Sequence, residues 1–153
     1  MKPDEFIAWL AEYCHIVRSR GYFPSVFVAQ SILESGWGNS PLTEHFNLWG
    51  HKWRENDRYG FVSKDTPEER NKVMVTEIHR FRSYPSMEIA VGAYCDKWEE
   101  RWKNGQMKYN PDFSGPHEFI ESIAGTYATD SKYAGKLHSI INDWGLERFD
   151  RKV

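Results

Sequence analysis

Cysteine is nearly absent from this chain, with Cys14 and Cys95 the only two in 153 residues. They form no C-x-x-C pair and fit no metal-ligand spacing, which excludes a disulfide-built scaffold and a zinc ribbon. Each falls on the apolar side of a predicted helix, so both are expected as buried free thiols. Long apolar runs are missing too. No stretch approaches the ~20 residues of a membrane span, and Met1-Lys2-Pro3-Asp4-Glu5 does not lead into the apolar segment of a secretory signal. Nor is there an excess of one charge: 20 Lys and Arg against 22 Asp and Glu leave a formal net charge of −2. That balance argues against a general grip on nucleic acid or anionic lipid and leaves room only for a local basic patch. A phosphate-cradling glycine loop, a Ser-His-Asp arrangement and an internal repeat are all lacking, and the six histidines are scattered. No metal and no cofactor are expected.

Aromatic residues, by contrast, are abundant: seven Trp, eight Tyr and nine Phe within a 40% hydrophobic composition. Such a chain can bury a sizeable core, and its length suits one domain over 1–153. Residues 3–20 read as a helix, with Pro3 in its first turn, Phe6, Leu10, Tyr13, Cys14 and Val17 at helical spacing, and Gly21 as its stop. Pro24 opens a second helix that runs to about Ser35 and is broken by Gly36 and Gly38. Ser40 caps a short turn begun by Pro41. The alternation of Val73, Val75 and Phe81 against Met74 and Ile78 predicts a strand. Asn71-Lys72 would close it onto an earlier strand near 60–66. Ser86 caps a long helix to about Asn104, residues 117–126 form another, and Asp130 caps a last one through Trp144.

The stretch Ser31-Ile32-Leu33-Glu34-Ser35-Gly36-Trp37-Gly38-Asn39-Ser40 carries the most chemistry. It sets a carboxylate at the end of an apolar helix, directly before a glycine-rich turn. Desolvation there disfavours the charged form, and a carboxyl that keeps its proton can donate it to a leaving oxygen. Three further motifs follow in order: Asn47-Leu48-Trp49-Gly50-His51-Lys52, Phe81-Arg82-Ser83-Tyr84-Pro85-Ser86, and Tyr127-Ala128-Thr129-Asp130-Ser131-Lys132-Tyr133-Ala134.

Together these motifs resemble the bacterial glucosaminidase family, glycoside hydrolase family 73, over about residues 24–146. The resemblance implies an α+β fold: a mostly helical, lysozyme-like body with one small β-hairpin beside the cleft. It implies cleavage of the β-1,4 bond between N-acetylglucosamine and N-acetylmuramic acid in peptidoglycan. Glu34 matches the family's catalytic glutamate and would be the general acid. Thr66-Pro67-Glu68 fits the hairpin pattern that carries the second carboxylate, so Glu68 would be the base, with Glu69 and Glu77 as neighbouring alternatives. Pro67 is unusual there, because proline donates nothing to a strand ladder. The substrate's own acetamido group could also replace an enzyme base.

Tyr127 matches a tyrosine placed near the catalytic glutamate. Asn47 and Trp49 match the second motif, with Trp49 in place of the usual Phe, and are candidate sugar contacts, a structural turn role being the equal alternative for Asn47. Trp37 reads as packing under the turn that holds Glu34, with a cleft wall as the alternative, and Tyr133 as core or cleft wall. His51 departs from the apolar residue usual in the family.

The expected partner is the peptidoglycan glycan strand, met by a monomer, with neither nucleic acid nor membrane insertion involved. The missing signal suggests a phage-type lysin made in the cytoplasm and released by lysis or carried on a virion. The rival readings are a muramidase or lytic transglycosylase on the same scaffold, and a non-catalytic sugar-binding module.

Overall fold

In this computed structural model, which describes residues 1–107, 114–127 (side chains only to 124) and 132–151, helix α3 (Pro24–Ser35) is the axis. Pro24 suits its first position, where a missing N–H costs nothing. Every residue from Ser25 to Ile32 is buried. A helix covered on all faces needs neighbours on all sides. These are α1 (Pro3–Ala11), α2 (Cys14–Ser19), α5 (Pro116–Tyr127), α6 (Tyr133–Trp144) and a closing 3-10 turn, Leu146–Asp150. Helix α4 (Met87–Lys103) packs on α2 and reaches α3 through Tyr94, whose ring centroid lies 5.3 Å from that of Phe27.

The single helix expected over 3–20 is two. Tyr13 N–H bonds to Leu10 O and Ile16 N–H to Tyr13 O, a tightening that breaks the α pattern between α1 and α2. The apolar stripe survives the break, for Phe6, Leu10, Cys14 and Val17 are all buried. Ser40 caps the turn Pro41–His45 by accepting from Leu42 N–H, and Ser86 starts α4 by accepting from Ile89 N–H. Asp130, expected to cap the last helix, lies outside the described residues. That helix begins at Tyr133, with Lys132 at the cap position. Cys14 and Cys95 are free and buried, and burial pushes both thiols up to about 12.

Strands β1 (Gly60–Arg70) and β2 (Val73–Ser83) form an antiparallel hairpin, longer than the segment the sequence suggested. Asn71 and Lys72 take φ of 53° and 65°, the left-handed pair that a tight two-residue turn demands. Register pairs Thr66 with Glu77, Pro67 with Thr76 and Glu68 with Val75. Pro67 is tolerated because both strands of a two-stranded sheet are edges. The base is tied to the body by Trp53 N–H to Arg80 O, Arg82 N–H to His51 O and Tyr84 N–H to His45 O. The outer half buries little, and Val73, Met74 and Ile78 stay exposed. The result is a mostly helical α+β fold with one projecting hairpin.

Candidate active site

Glu34 occupies the last turn of α3. Gly36 ends the helix in the left-handed conformation at φ 57°, and Trp37 N–H returns to Ile32 O at 3.0 Å. Ser35 Oγ then accepts from Gly38 N–H at 2.8 Å while donating to Ser31 O. Gly38 has a second reason to be glycine: a Cβ there would sit 2.8 Å from the Phe6 ring, at a φ of 81°. The glycine turn therefore fixes where Glu34 points.

The Glu34 carboxyl opens onto a cleft of about 380 Å³, lined also by Trp49, His51, Lys52, Arg54, Tyr94, Lys97, Trp98 and Arg101. Desolvation raises its pKa above the usual carboxylate range, and a hydrogen bond from Tyr133 opposes this without cancelling it. Behind Tyr133 stands Gln30, buried in the middle of α3. Tyr94 Oη donates to Gln30 Oε1 at 2.5 Å, and Gln30 Nε2 donates to Tyr133 Oη at 3.1 Å. Gln30 and Tyr94 were not singled out from the sequence. One polar residue inside an otherwise apolar helix segment was the available signal.

Trp49 is 5% exposed and lines the cleft, held by its Nε1–H donating to Ser31 Oγ at 2.9 Å. Its ring lies 5.2 Å from Tyr94. Asn47 differs from the expected sugar contact. It is 1% exposed, its Nδ2 donates to His51 O and Arg82 O, and its Oδ1 accepts from His51 N–H. All its capacity goes into joining the loop to the hairpin base. Trp37 also differs from a cleft wall: it packs edge-on against Phe6 and Trp144 beneath the glycine turn, at 6.2 and 5.0 Å. Tyr133 is buried and spends its hydroxyl on Gln30 and Glu34. The side chain of Tyr127 lies outside the described residues.

His51, the unexplained departure, is now accounted for. Its Nδ1 pairs with Tyr84 Oη at 2.6 Å and its ring lies 5.3 Å from Trp49. Burial first, then the cations Lys97, Arg82 and Arg101, push its pKa down to about 3, so it is neutral.

Glu68 does not line the cleft. It sits half-buried on the outer hairpin, with His79 Nε2 3.5 Å from its carboxylate and 3.4 Å from that of Glu77. Arg70 in turn donates to both oxygens of Glu77. Glu68, Glu77 and His79 offer ligand atoms within 4.8 Å of one another, a set the sequence hid because it spans two strands. Among the described residues lining the cleft, Glu34 is the single carboxylate. The arrangement thus sets a carboxyl of raised pKa beside the aromatic residues of the cleft, with a second carboxylate carried on a separate arm.

The family model described as mannosyl-glycoprotein endo-beta-N-acetylglucosaminidase matches residues 11–146. The chain is 32% identical to an autolysin of Enterococcus faecalis, over 97% of this chain and 21% of that protein. It is 32% identical to a probable N-acetylmuramidase of Lactococcus lactis subsp. lactis, over 88% of this chain and 32% of that protein. It thus spans only about a fifth to a third of these two relatives. The crystal structure of the catalytic domain of the autolysin Auto from Listeria monocytogenes superposes with a TM-score of 0.81 at 26% identity, covering 97% of this chain and 87% of that one. With the family match spanning nearly the whole chain and the same fold in a solved catalytic domain, this chain belongs to the glucosaminidase family.

Proposed function

We propose that this chain is a catalytic domain that hydrolyses the β-1,4 bond between N-acetylglucosamine and N-acetylmuramic acid in peptidoglycan, acting on the cell wall as a monomer. The observation that carries the reading is Glu34: a carboxyl held above its ordinary pKa by desolvation, at the edge of a cleft floored by Trp49, Tyr94 and Trp98. Such a group keeps its proton to higher pH than an ordinary carboxyl and donates it to the departing glycosidic oxygen. The aromatic floor suits the apolar faces of sugar rings. Glu68 is the proposed base, delivered by the hairpin to activate water at the anomeric carbon.

A second reading rests on Glu34 being the one carboxylate lining the cleft among the described residues. In it the 2-acetamido oxygen bonds to the anomeric carbon as the glycosidic bond breaks and Glu34 protonates the leaving oxygen. Water then opens the cyclic intermediate. A muramidase or transglycosylase on this scaffold would use the same acid at the neighbouring bond.

Mass analysis of the ends released from purified peptidoglycan by the wild type and by Glu34→Gln decides among these. New reducing N-acetylglucosamine ends from the wild type alone are the expected result. Reducing or anhydro-muramic ends would overturn the bond assignment and leave the acid in place. Equal release by both proteins would remove Glu34 from the chemistry. No release by either would favour a sugar-binding module.

A further inference from the structure

Part of the wall of the cleft is built from cations. Lys52 and Arg54 come from the loop that ties the hairpin base to the body, and Lys97 and Arg101 stand one turn apart on α4, on a shared face. All four line the cleft that holds Glu34. Lys97 meets Glu100 at 3.9 Å, and the Arg101 guanidinium lies 5.4 Å over the Trp98 ring. Mutual repulsion is visible. Burial, then Arg82 and Arg54 among its neighbours, push the Lys97 ammonium below its ordinary value. The same crowd of cations helps keep His51 neutral. A protein of net charge −2 has gathered four cations against one carboxyl.

The hydroxyl and acetamido groups of the sugar rings are uncharged and have no use for such a wall. Resting on the hydrolase reading above, we infer that Lys52, Arg54, Lys97 and Arg101 form an anion subsite that takes the carboxylates of the peptide substituents carried by the glycan strand. In peptidoglycan these substituents are covalently attached to alternate sugars, so they necessarily arrive whenever Glu34 engages the strand. A phosphate-bearing wall polymer has the same charge but no such obligatory position. The subsite would make the enzyme prefer peptide-bearing strands over strands whose carboxylates are capped, a preference screened by salt.

The test measures binding by Glu34→Gln, which leaves the strands uncut, to three probes: peptide-bearing strands, strands stripped of peptide with the lactyl carboxylates so freed capped as amides, and strands whose peptide carboxylates are amidated. At low salt the peptide-bearing probe should bind about tenfold tighter than either of the others. Adding Lys97→Gln and Arg54→Gln should reduce that ratio to about two or less, whereas Lys97→Arg with Arg54→Lys should keep it, which separates charge from folding. Equal affinity for all three probes would overturn the inference, as would a ratio that survives the Gln pair. Displacement of every probe alike by a poly(glycerol phosphate) competitor, without a peptide preference, would assign the wall to phosphate and overturn it too. The readout involves no bond cleavage. Failure of the wild type to cut these strands would therefore count against the hydrolase reading, while the binding ratio alone decides this one.

Discussion

Gln30 sets the direction of the hydrogen bonds that reach Glu34. Its carbonyl accepts from Tyr94, so its amide must donate to Tyr133, and the Tyr133 hydroxyl hydrogen is left for the Glu34 carboxylate. That bond favours the charged form and lowers the Glu34 pKa; desolvation raises it by more. Tyr133→Phe should therefore move the alkaline limb of the kcat–pH profile upward, because the acid then holds its proton to higher pH. A downward shift would show that the hydroxyl acts otherwise. Glu34→Gln should lower kcat about a hundredfold or more in the same assay. The place of Glu34 at the helix end was legible in the sequence because a motif and a glycine turn announced it, and its part as the acid is the proposal made above. Gln30 was not, because a glutamine in an apolar helix segment gains meaning only when Tyr94 and Tyr133, from elements far apart in sequence, close on it. Asn47 stayed open for the complementary reason: an amide inside a recognisable motif reads equally as ligand or clamp, and only its burial and its partners in the fold favour the clamp.

At the scale of elements, the glycine turn and the closing 3-10 turn hold the two ends of α3. Gly38→Ala must drive a Cβ toward the Phe6 ring and hold alanine at a positive φ, so it should cost about 2–4 kcal/mol in urea unfolding and lower activity with it. At the other end Asp150 accepts from Ser25 N–H at 2.8 Å and Ser25 Oγ–H at 2.7 Å. Asp150→Ala should cost about 1–2 kcal/mol, as loss of a helix cap does, measured in the same way. Helices α3, α4 and α5 were readable from stripe, cap and stop residues. The break between α1 and α2 was not, since Phe6, Leu10, Cys14 and Val17 keep helical spacing across it and no Gly or Pro marks it. The docking of Leu146–Asp150 left no trace in local pattern, because its reason is a partner 125 residues away.

For the whole molecule, the hidden quantity was the distribution of charge. A net charge of −2 averages away a cationic cleft wall, because Lys52 and Arg54 meet Lys97 and Arg101 only in the fold. One consequence is acid sensitivity. His51 holds off its proton to about pH 3 when folded, against an unfolded value near 6.5. Below pH 6.5 the unfolded chain binds the extra proton, so this residue's share of stability is complete above 6.5. It falls by about 1.4 kcal/mol per pH unit as the pH drops toward 3. Glu34 and Asp150, whose pKa values are raised, act in the opposite sense, because the folded state takes up their protons first. His51→Gln should flatten the decline in urea stability between pH 6.5 and 4, and an unchanged slope would refute the assignment.

The hairpin is the other feature of molecular scale, and Glu68→Gln tests its part. Loss of about a hundredfold in kcat is expected if the arm brings the base; retention within a few-fold would give that task to the acetamido oxygen. Mechanically, the arm is a cantilever. Its anchors lie at Arg80, Arg82 and Tyr84, and Glu68 faces Val75, five residues beyond the outermost of them. At 3.4 Å per residue that is a beam of roughly 17 Å. A tilt of about 7° at the root swings the free end by roughly 2 Å, close to the whole difference between a carboxylate that touches a water molecule and one that does not. The working stroke of this domain would then be set where Asn47 and Asp57 grip the root rather than where Glu68 sits, and substitutions at those anchors would retune the enzyme without touching a reacting atom.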